Sequence, residues 1–214
     1  ELLDDLSPEA QLIGAVNTVL NDNGKLIGYN TDGYGFMQSV RDAGHDITGK
    51  NITVMGVGGA SMAICAQSAL DGAASVHIFA RRTSRYWNRT QKFAENLSAK
   101  TGCQVCLFDN DDHTALRDSI AQSYLLINAT SVGMVPDIDD TIIKDTSLFH
   151  PELVVADVVY EPQETRLLRE AKAAGCQTFN GMYMLLHQGA KAFQIWTGQE
   201  MPVSVIKEKY FSVK

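Results

Sequence analysis

From residue 50 onward the chain alternates short runs of β-branched and other apolar residues with longer stretches whose apolar positions recur every three to four residues. The short runs, at 51–55, 75–79, 104–108, 124–128, 154–158 and 177–179, predict strands. Helical spacing covers 60–70, 86–99, 113–121 and 165–174 between them. Gly72, Gly102 and Gly175 stand just past three of those helices, where a left-handed residue closes the last turn. The first strand runs are apolar on consecutive residues, as strands covered on both faces must be. Strand–helix repetition with short connections predicts an α/β fold built on a doubly wound parallel sheet. Six strands are the full complement of a Rossmann domain.

The flanks break the pattern. Residues 7–14 predict a helix opened by Ser7-Pro8. Runs at 15–20 and 25–30 predict strands joined through Asn21-Asp22-Asn23-Gly24, a strong hairpin signal. Near the other end, 182–196 and 203–211 predict two helices with no strand after them. Residues 1–31 and 182–214 therefore read as remnants of a second α/β domain, a substrate domain, around a dinucleotide-binding domain at 32–181.

A length of 214 residues falls between one domain and two at ~150 residues each, and is long enough to bury a core without disulfide or metal staples. The chain carries 18 Lys and Arg against 25 Asp and Glu, a net charge of −7. Nucleic acids and anionic membranes both call for a basic surface, so the expected partner is a small molecule. No apolar run approaches the ~18 residues of a membrane span. The opening Glu1-Leu2-Leu3-Asp4-Asp5 lacks the features of a signal peptide, and a cytoplasmic location is expected. Of the four cysteines, Cys103-Gln-Val-Cys106 has a CxxC spacing but falls on a strand, whereas a redox pair usually opens a helix. A zinc site would need two further ligands, and only His113 stands nearby, so reduced thiols and no metal are expected.

Candidate chemistry begins where the first strand of the alternation ends. Gly56, Val57, Gly58, Gly59, Ala60 and Ser61 join that strand to the first helix. Glycines there permit a tight turn and let a pyrophosphate approach backbone N–H groups at the helix end. A structural turn without a ligand is the plain alternative. Ser61 occupies the third fingerprint position, where a smaller residue gives the closer fit. At the end of the second strand, Ala80, Arg81, Arg82, Thr83, Ser84 and Arg85 follow one another, with no acid between Asp71 and Glu95. An NAD site usually carries an acid here for the ribose hydroxyl. Arginines and hydroxyls instead suit a 2′-phosphate, which selects NADP, with NAD as second choice. A solvated basic loop is the other reading.

Several motifs together resemble one family. Gly14-Ala15-Val16-Asn17-Thr18 and Gly28-Tyr29-Asn30-Thr31-Asp32-Gly33 are similar to the signature of shikimate dehydrogenases and their quinate/shikimate relatives. So are the loop at 56–61, Asn128-Ala129-Thr130-Ser131-Val132-Gly133-Met134, and the stretch from Gly181-Met182-Tyr183-Met184 to Gln188-Gly189-Ala190. The resemblance runs in register along nearly the whole chain. It implies reversible, NADP-dependent hydride transfer between 3-dehydroshikimate and shikimate, a step of aromatic biosynthesis. It also implies an acid/base pair of a lysine and an aspartate, the aspartate matching Asp32. Asn17, Tyr160 and Gln188 match substrate-holding positions. The cofactor phosphates match 56–61 and the adenosine end matches Ala80 to Arg85. Thr130, Ser131, Met134, Val158, Gly181 and Met184 match the surroundings of the nicotinamide half. From the residues alone, Asp32 reads equally as a helix N-cap, and Gln188 as an exposed helical residue.

Departures from the family pattern matter too. Its lysine belongs upstream of the Asn17 motif, and Lys25 and Lys50 lie on the wrong side. Its serine-rich carboxylate-binding segment has no counterpart, so the chain is expected to begin late in the substrate domain. If it is truncated there, it should bind NADPH and turn over shikimate poorly. Tyr183 replaces a glycine near the nicotinamide, with a ring large enough to crowd the cleft; Asn180 replaces an acid and Ala80 an asparagine. Two other readings stand beside this one: quinate/shikimate dehydrogenation with NAD or NADP, and a non-catalytic regulatory module that binds dinucleotide or shikimate. A homodimer is the candidate assembly.

Overall fold

The computed structural model describes residues 2–211, which form two sheets. A two-residue strand, β1 (Asp5–Leu6), leads into helix α1 (Pro8–Ile13), whose cap Ser7 accepts a hydrogen bond from the Ala10 amide at 3.2 Å. The hairpin β2 (Thr18–Asp22) and β3 (Lys25–Tyr29) follows. Asp22 pairs with Lys25, leaving Asn23 and Gly24 as a two-residue turn with φ of 53° and 96°. Two left-handed residues match the natural twist of the flanking strands. The sheet order is β1-β3-β2. The strand expected over 15–20 starts at Thr18 instead, because Gly14 closes α1 and Asn17 turns its amide toward Thr31 and Asp32.

Helix α2 (Asp32–Asp42) carries the chain into the second sheet. Its strands are β4 (Asn51–Met55), β5 (Ser75–Ala80), β6 (Gln104–Asp109), β7 (Leu125–Asn128), β8 (Val154–Asp157) and β9 (Gln177–Phe179). They lie parallel in the order β6-β5-β4-β7-β8-β9. Helices α3 (Gly59–Leu70), α4 (Trp87–Thr101), α5 (His113–Gln122) and α6 (Arg166–Ala173) connect them, with a 3-10 turn at Thr146–Leu148 before β8. The six strands and four helices read from the apolar pattern are all present, displaced at their ends by no more than a residue or two. Gly72, Gly102 and Gly175 take φ of 88°, 76° and 91°, as helix-closing residues should. Helix α7 (Met182–Thr197) follows, then the short α8 (Val203–Ile206), which runs into a π-helical turn at Lys207–Phe211.

Alternation along the strands divides the core into two layers. Ile52, Val54, Val76, Ile78, Leu125 and Ile127 pack on one face with Phe36, Ile64 and Leu97. Met55, Phe79, Leu126 and Val155 pack on the other with Ile120, Leu167 and Leu168. Each fully buried side chain of this size is worth ~1.5–3 kcal/mol, so both faces of the sheet are anchored. Cys106 lies on β6 with Cys103 just before it, and the four cysteines are free. Burial pushes the thiol of Cys65 up to about 12 and that of Cys103 to about 11, far from reactive values. Among the described residues no helix is long and apolar enough to cross a membrane.

The two sheets are joined through α2. Its Gly33 faces the Ala63 carbonyl of α3, which a Cβ would approach to 2.4 Å. Its Gly35 faces the backbone of α7, where a Cβ would lie 2.6 Å from the Gln188 nitrogen and 2.7 Å from the Met184 oxygen. A Gly35→Ala substitution must therefore spread the α2–α7 crossing, at an expected cost of about 1–3 kcal/mol in urea unfolding. An unchanged midpoint would show that the crossing is looser than this geometry.

Candidate active site

Two clusters of predicted site residues form, one on each side of the junction between the sheets. The first lies where β3 ends and α2 begins. The Asn17 Nδ2 donates to Asp32 Oδ1 at 2.8 Å and to Thr31 Oγ1 at 3.1 Å, and Asn17 Oδ1 accepts the Thr31 amide at 3.0 Å. The Thr31 hydroxyl, having accepted from Asn17 Nδ2, has two acceptors in reach for its own proton, Asn17 Oδ1 at 3.3 Å and Gln188 Oε1 on α7 at 3.4 Å. Thr31 is 1% exposed, so one buried hydroxyl links the residue before β2, the start of α2 and α7. Asn30 Oδ1 accepts the Asp32 amide at 3.1 Å and fixes the start of the helix. Asp32 is the first helical residue rather than the N-cap, a position that falls to Thr31, and its carboxylate engages Asn17. That excludes the N-cap reading. Burial raises the Asp32 pKa, partly opposed by the Asn17 bond, as suits a group that exchanges a proton with a ligand. Lys25 pairs with Asp5 at 3.0 Å and Lys50 sits over the Tyr124 ring.

The second cluster lies at the topological switch between β4 and β7, where the strand order reverses and open α/β sheets take their ligands. Gly56 (φ 114°) brings its backbone against Ala129 and Thr130, and a Cβ there would lie 2.8 Å from the Ala129 oxygen. Open space faces Gly58 and Gly59. Gly58 is the N-cap of α3 without a side-chain cap bond, and no acid stands in the first turn. The N–H groups of Gly59, Ala60 and Ser61 are left at a positive helix end, the anion cradle a pyrophosphate requires. Ser61 is wholly buried and donates its hydroxyl to the Gly56 carbonyl at 2.6 Å, so its side chain closes the loop instead of facing a ligand. Val57 faces a smaller pocket shared with Gly14, Tyr86 and Arg89.

Beside this cradle opens a cleft of about 540 Å³, with Gly58, Gly59 and Ala60 on one side. Thr130, Ser131 and Met134 form a second wall and Val158 and Tyr160 a third. Gly181 and Met184 do not line it. Gly181 packs directly beneath the Val158 carbonyl, which a Cβ would approach to 2.0 Å, and Met184 packs against the core. Tyr183 does not crowd it either; its ring lies 4.0 Å from the Lys207 Nζ and against Phe211, on a separate groove. Beyond the loop, Ala80 ends β5 and is buried, and Arg81, Arg82, Thr83 and Arg85 are exposed. The Arg82 guanidinium stacks 4.6 Å above the ring of Trp87, and that of Arg85 lies 4.7 Å above Tyr86. Among the described residues no carboxylate pairs with these arginines.

Asn128, Asp157 and Thr165, to which no site role was assigned from the sequence, form a hydrogen-bonded polar group beside the turns that wall the cleft. Asp157, at the end of β8, is wholly buried and accepts from Asn128 at 3.0 Å, the Val159 amide at 2.9 Å and Thr165 at 2.8 Å. An acid closing an otherwise apolar buried strand was the visible signal. Burial pushes its pKa up to about 6 despite those bonds.

The C-terminal part of the chain, residues 181–209, matches the family model described as the Shikimate 5'-dehydrogenase C-terminal domain. A shikimate dehydrogenase (NADP(+)) of Listeria innocua is 53% identical over 98% of this chain and 72% of its own length. A quinate/shikimate dehydrogenase of Escherichia coli is 42% identical over 97% and 72% respectively. The crystal structure of a shikimate 5-dehydrogenase from Listeria monocytogenes, in complex with shikimate and NAD, superposes with a TM-score of 0.93 at 52% identity. It covers 96% of this chain and 71% of that one.

Asp157 also makes stability depend on pH. Between the ordinary value of 3.8 and about 6, the folded chain holds a proton that the unfolded chain releases. Folding stability therefore falls as pH rises through that window. Asp157→Asn should flatten this part of the stability–pH curve measured by urea unfolding; an identical slope in wild type and variant would contradict a buried acid of raised pKa.

Proposed function

The chain belongs to the shikimate dehydrogenase family, and on that premise we propose that it interconverts shikimate and 3-dehydroshikimate with NADP as hydride partner. The observation that carries this reading is the Asn17–Thr31–Asp32–Gln188 cluster, held against α3, the helix whose N-terminus carries the anion cradle. In the oxidative direction the substrate's carbinol carbon gives up a hydride and its hydroxyl gives up a proton. NADP, when bound, supplies the acceptor for the hydride. The proton passes to Asp32, whose burial makes the carboxylate a stronger base than an exposed one, and returns from it in the reductive direction. Asn17 keeps one Asp32 oxygen engaged, leaving the other for the substrate. Gln188 and Tyr160 supply further polar contacts for the substrate's hydroxyls and ring.

The residues fit the dinucleotide. An uncapped helix end with room at Gly58 and Gly59 takes the pyrophosphate, the cleft takes the nicotinamide half, and the unpaired arginines take the adenosine end. Arg82, steadied on Trp87, offers donors to a 2′-phosphate. Residues 32–181 then serve as the cofactor unit, and 1–31 with 182–214 as the substrate side. Four free cysteines and an acidic chain agree with action in the cytoplasm on a small-molecule substrate.

Asp32→Asn should lower shikimate-dependent NADPH formation by about 100-fold or more while NADPH affinity stays unchanged. Wild-type turnover in that variant would remove Asp32 from the chemistry. Arg82→Asp should weaken NADPH binding by about tenfold or more and NADH binding far less. Equal losses for both cofactors, measured by nicotinamide fluorescence, would mean that Arg82 does not read the 2′-phosphate.

A further inference from the structure

We infer that Asp157 is the positioning residue that holds the two turns walling the large cleft at the separation the nicotinamide half of the cofactor needs; this rests on assigning that cleft to that half. Asp157 touches neither the cleft nor the Asp32 cluster, yet its carboxylate is where the two walls meet. Its Oδ1 accepts the Asn128 side-chain amide at 3.0 Å and the Val159 backbone amide at 2.9 Å, and its Oδ2 accepts the Thr165 hydroxyl at 2.8 Å.

The two Oδ1 bonds each lead to a wall, and the Oδ2 bond ties the start of α6 to the same carboxylate. Asn128 passes the constraint on: its Oδ1 accepts the Thr130 amide at 3.1 Å and the Thr130 hydroxyl at 2.6 Å, and its Nδ2 also donates to the Val132 carbonyl at 3.1 Å. The Thr130 hydroxyl in turn accepts the Val132 amide at 3.1 Å. With donor and acceptor both used, that hydroxyl has no free proton for a ligand, and the Thr130 methyl is turned toward Gly56. On the other side, the Val159 amide sets the Val158–Tyr160 turn, whose Val158 carbonyl lies over Gly181. The three donors all belong to residues at or beyond the C-terminal edge of the sheet. Removing their acceptor frees the turns and leaves the two apolar layers in place.

The test uses the whole chain and two probes, NADPH and 2′,5′-ADP, which has the adenosine end and the 2′-phosphate but no nicotinamide. Asp157→Ala should raise the Kd for NADPH by about tenfold or more and leave that for 2′,5′-ADP within about twofold. Asp157→Asn should stay within about threefold of wild type on both, because its carbonyl can take the two Oδ1 donors and its NH2 can donate to the Thr165 hydroxyl. Where the alanine variant shows no cooperative thermal transition, Asp157→Ser takes its place with the same expected split. Parallel loss of both probes, unchanged NADPH affinity, or an asparagine variant as weak as the alanine one would each overturn the inference. Wild-type affinities equal for the two probes would instead overturn the assignment of the cleft, and the inference with it.

Discussion

The arrangement depends on a steric constraint: α2 must lie against two other helices at backbone distance. Gly33 and Gly35 sit two residues apart, one against α3 and the other against α7. With no side chain at either point, α2 is wedged between the helix that carries the anion cradle and the helix that carries Gln188. Asp32 and Thr31 therefore have positions set from both sheets. A bulkier residue at either glycine would move the acid relative to the dinucleotide loop before it disturbed any strand of the core. The tolerance here is small because the opposing atoms are backbone, which cannot rotate out of the way.

Two buried carboxylates illustrate how the same group is put to different ends. Burial raises the pKa of Asp32 and of Asp157 alike. Asp32 keeps one oxygen outside the hydrogen bonds that its neighbours supply, at the edge of the Asn17–Thr31–Gln188 cluster. Asp157 has three donors around it and no opening. The first is suited to exchanging a proton, the second to holding backbone in place. Around Arg81–Arg85 the charge runs the other way. Exposed arginines that no carboxylate pairs with among the described residues form a local positive patch on a chain whose net charge is −7.

Much of this was legible in the sequence, and for a physical reason. Strands such as Leu125–Asn128 and Val154–Asp157 are buried on both faces, so their composition alone marks them. The hairpin was equally plain, since Asn23-Gly24 is the pair that tolerates two left-handed residues. By contrast β1 spans two residues, too few for any period to show. Pairings that depend on register stayed hidden: Asn128 and Asp157 are opposite one another only because β7 and β8 align as they do. The position of Tyr183 was not legible either: its ring lies against Phe211 and the amine of Lys207, 24 residues on. The motif positions Gly181 and Met184 lie outside the cleft, packed under Val158 and against the core, a distinction that a linear pattern does not carry.

The stacking of Arg82 on Trp87 has a consequence for that ring's surroundings. The chain has two tryptophans. Trp87 is nearly enclosed beneath the Arg82 guanidinium, and Trp196 lies largely in solvent on α7, its indole N–H donating to the Val19 carbonyl at 3.0 Å. The two indoles therefore sit in environments of different polarity, one enclosed beneath Arg82 and one open to solvent on α7.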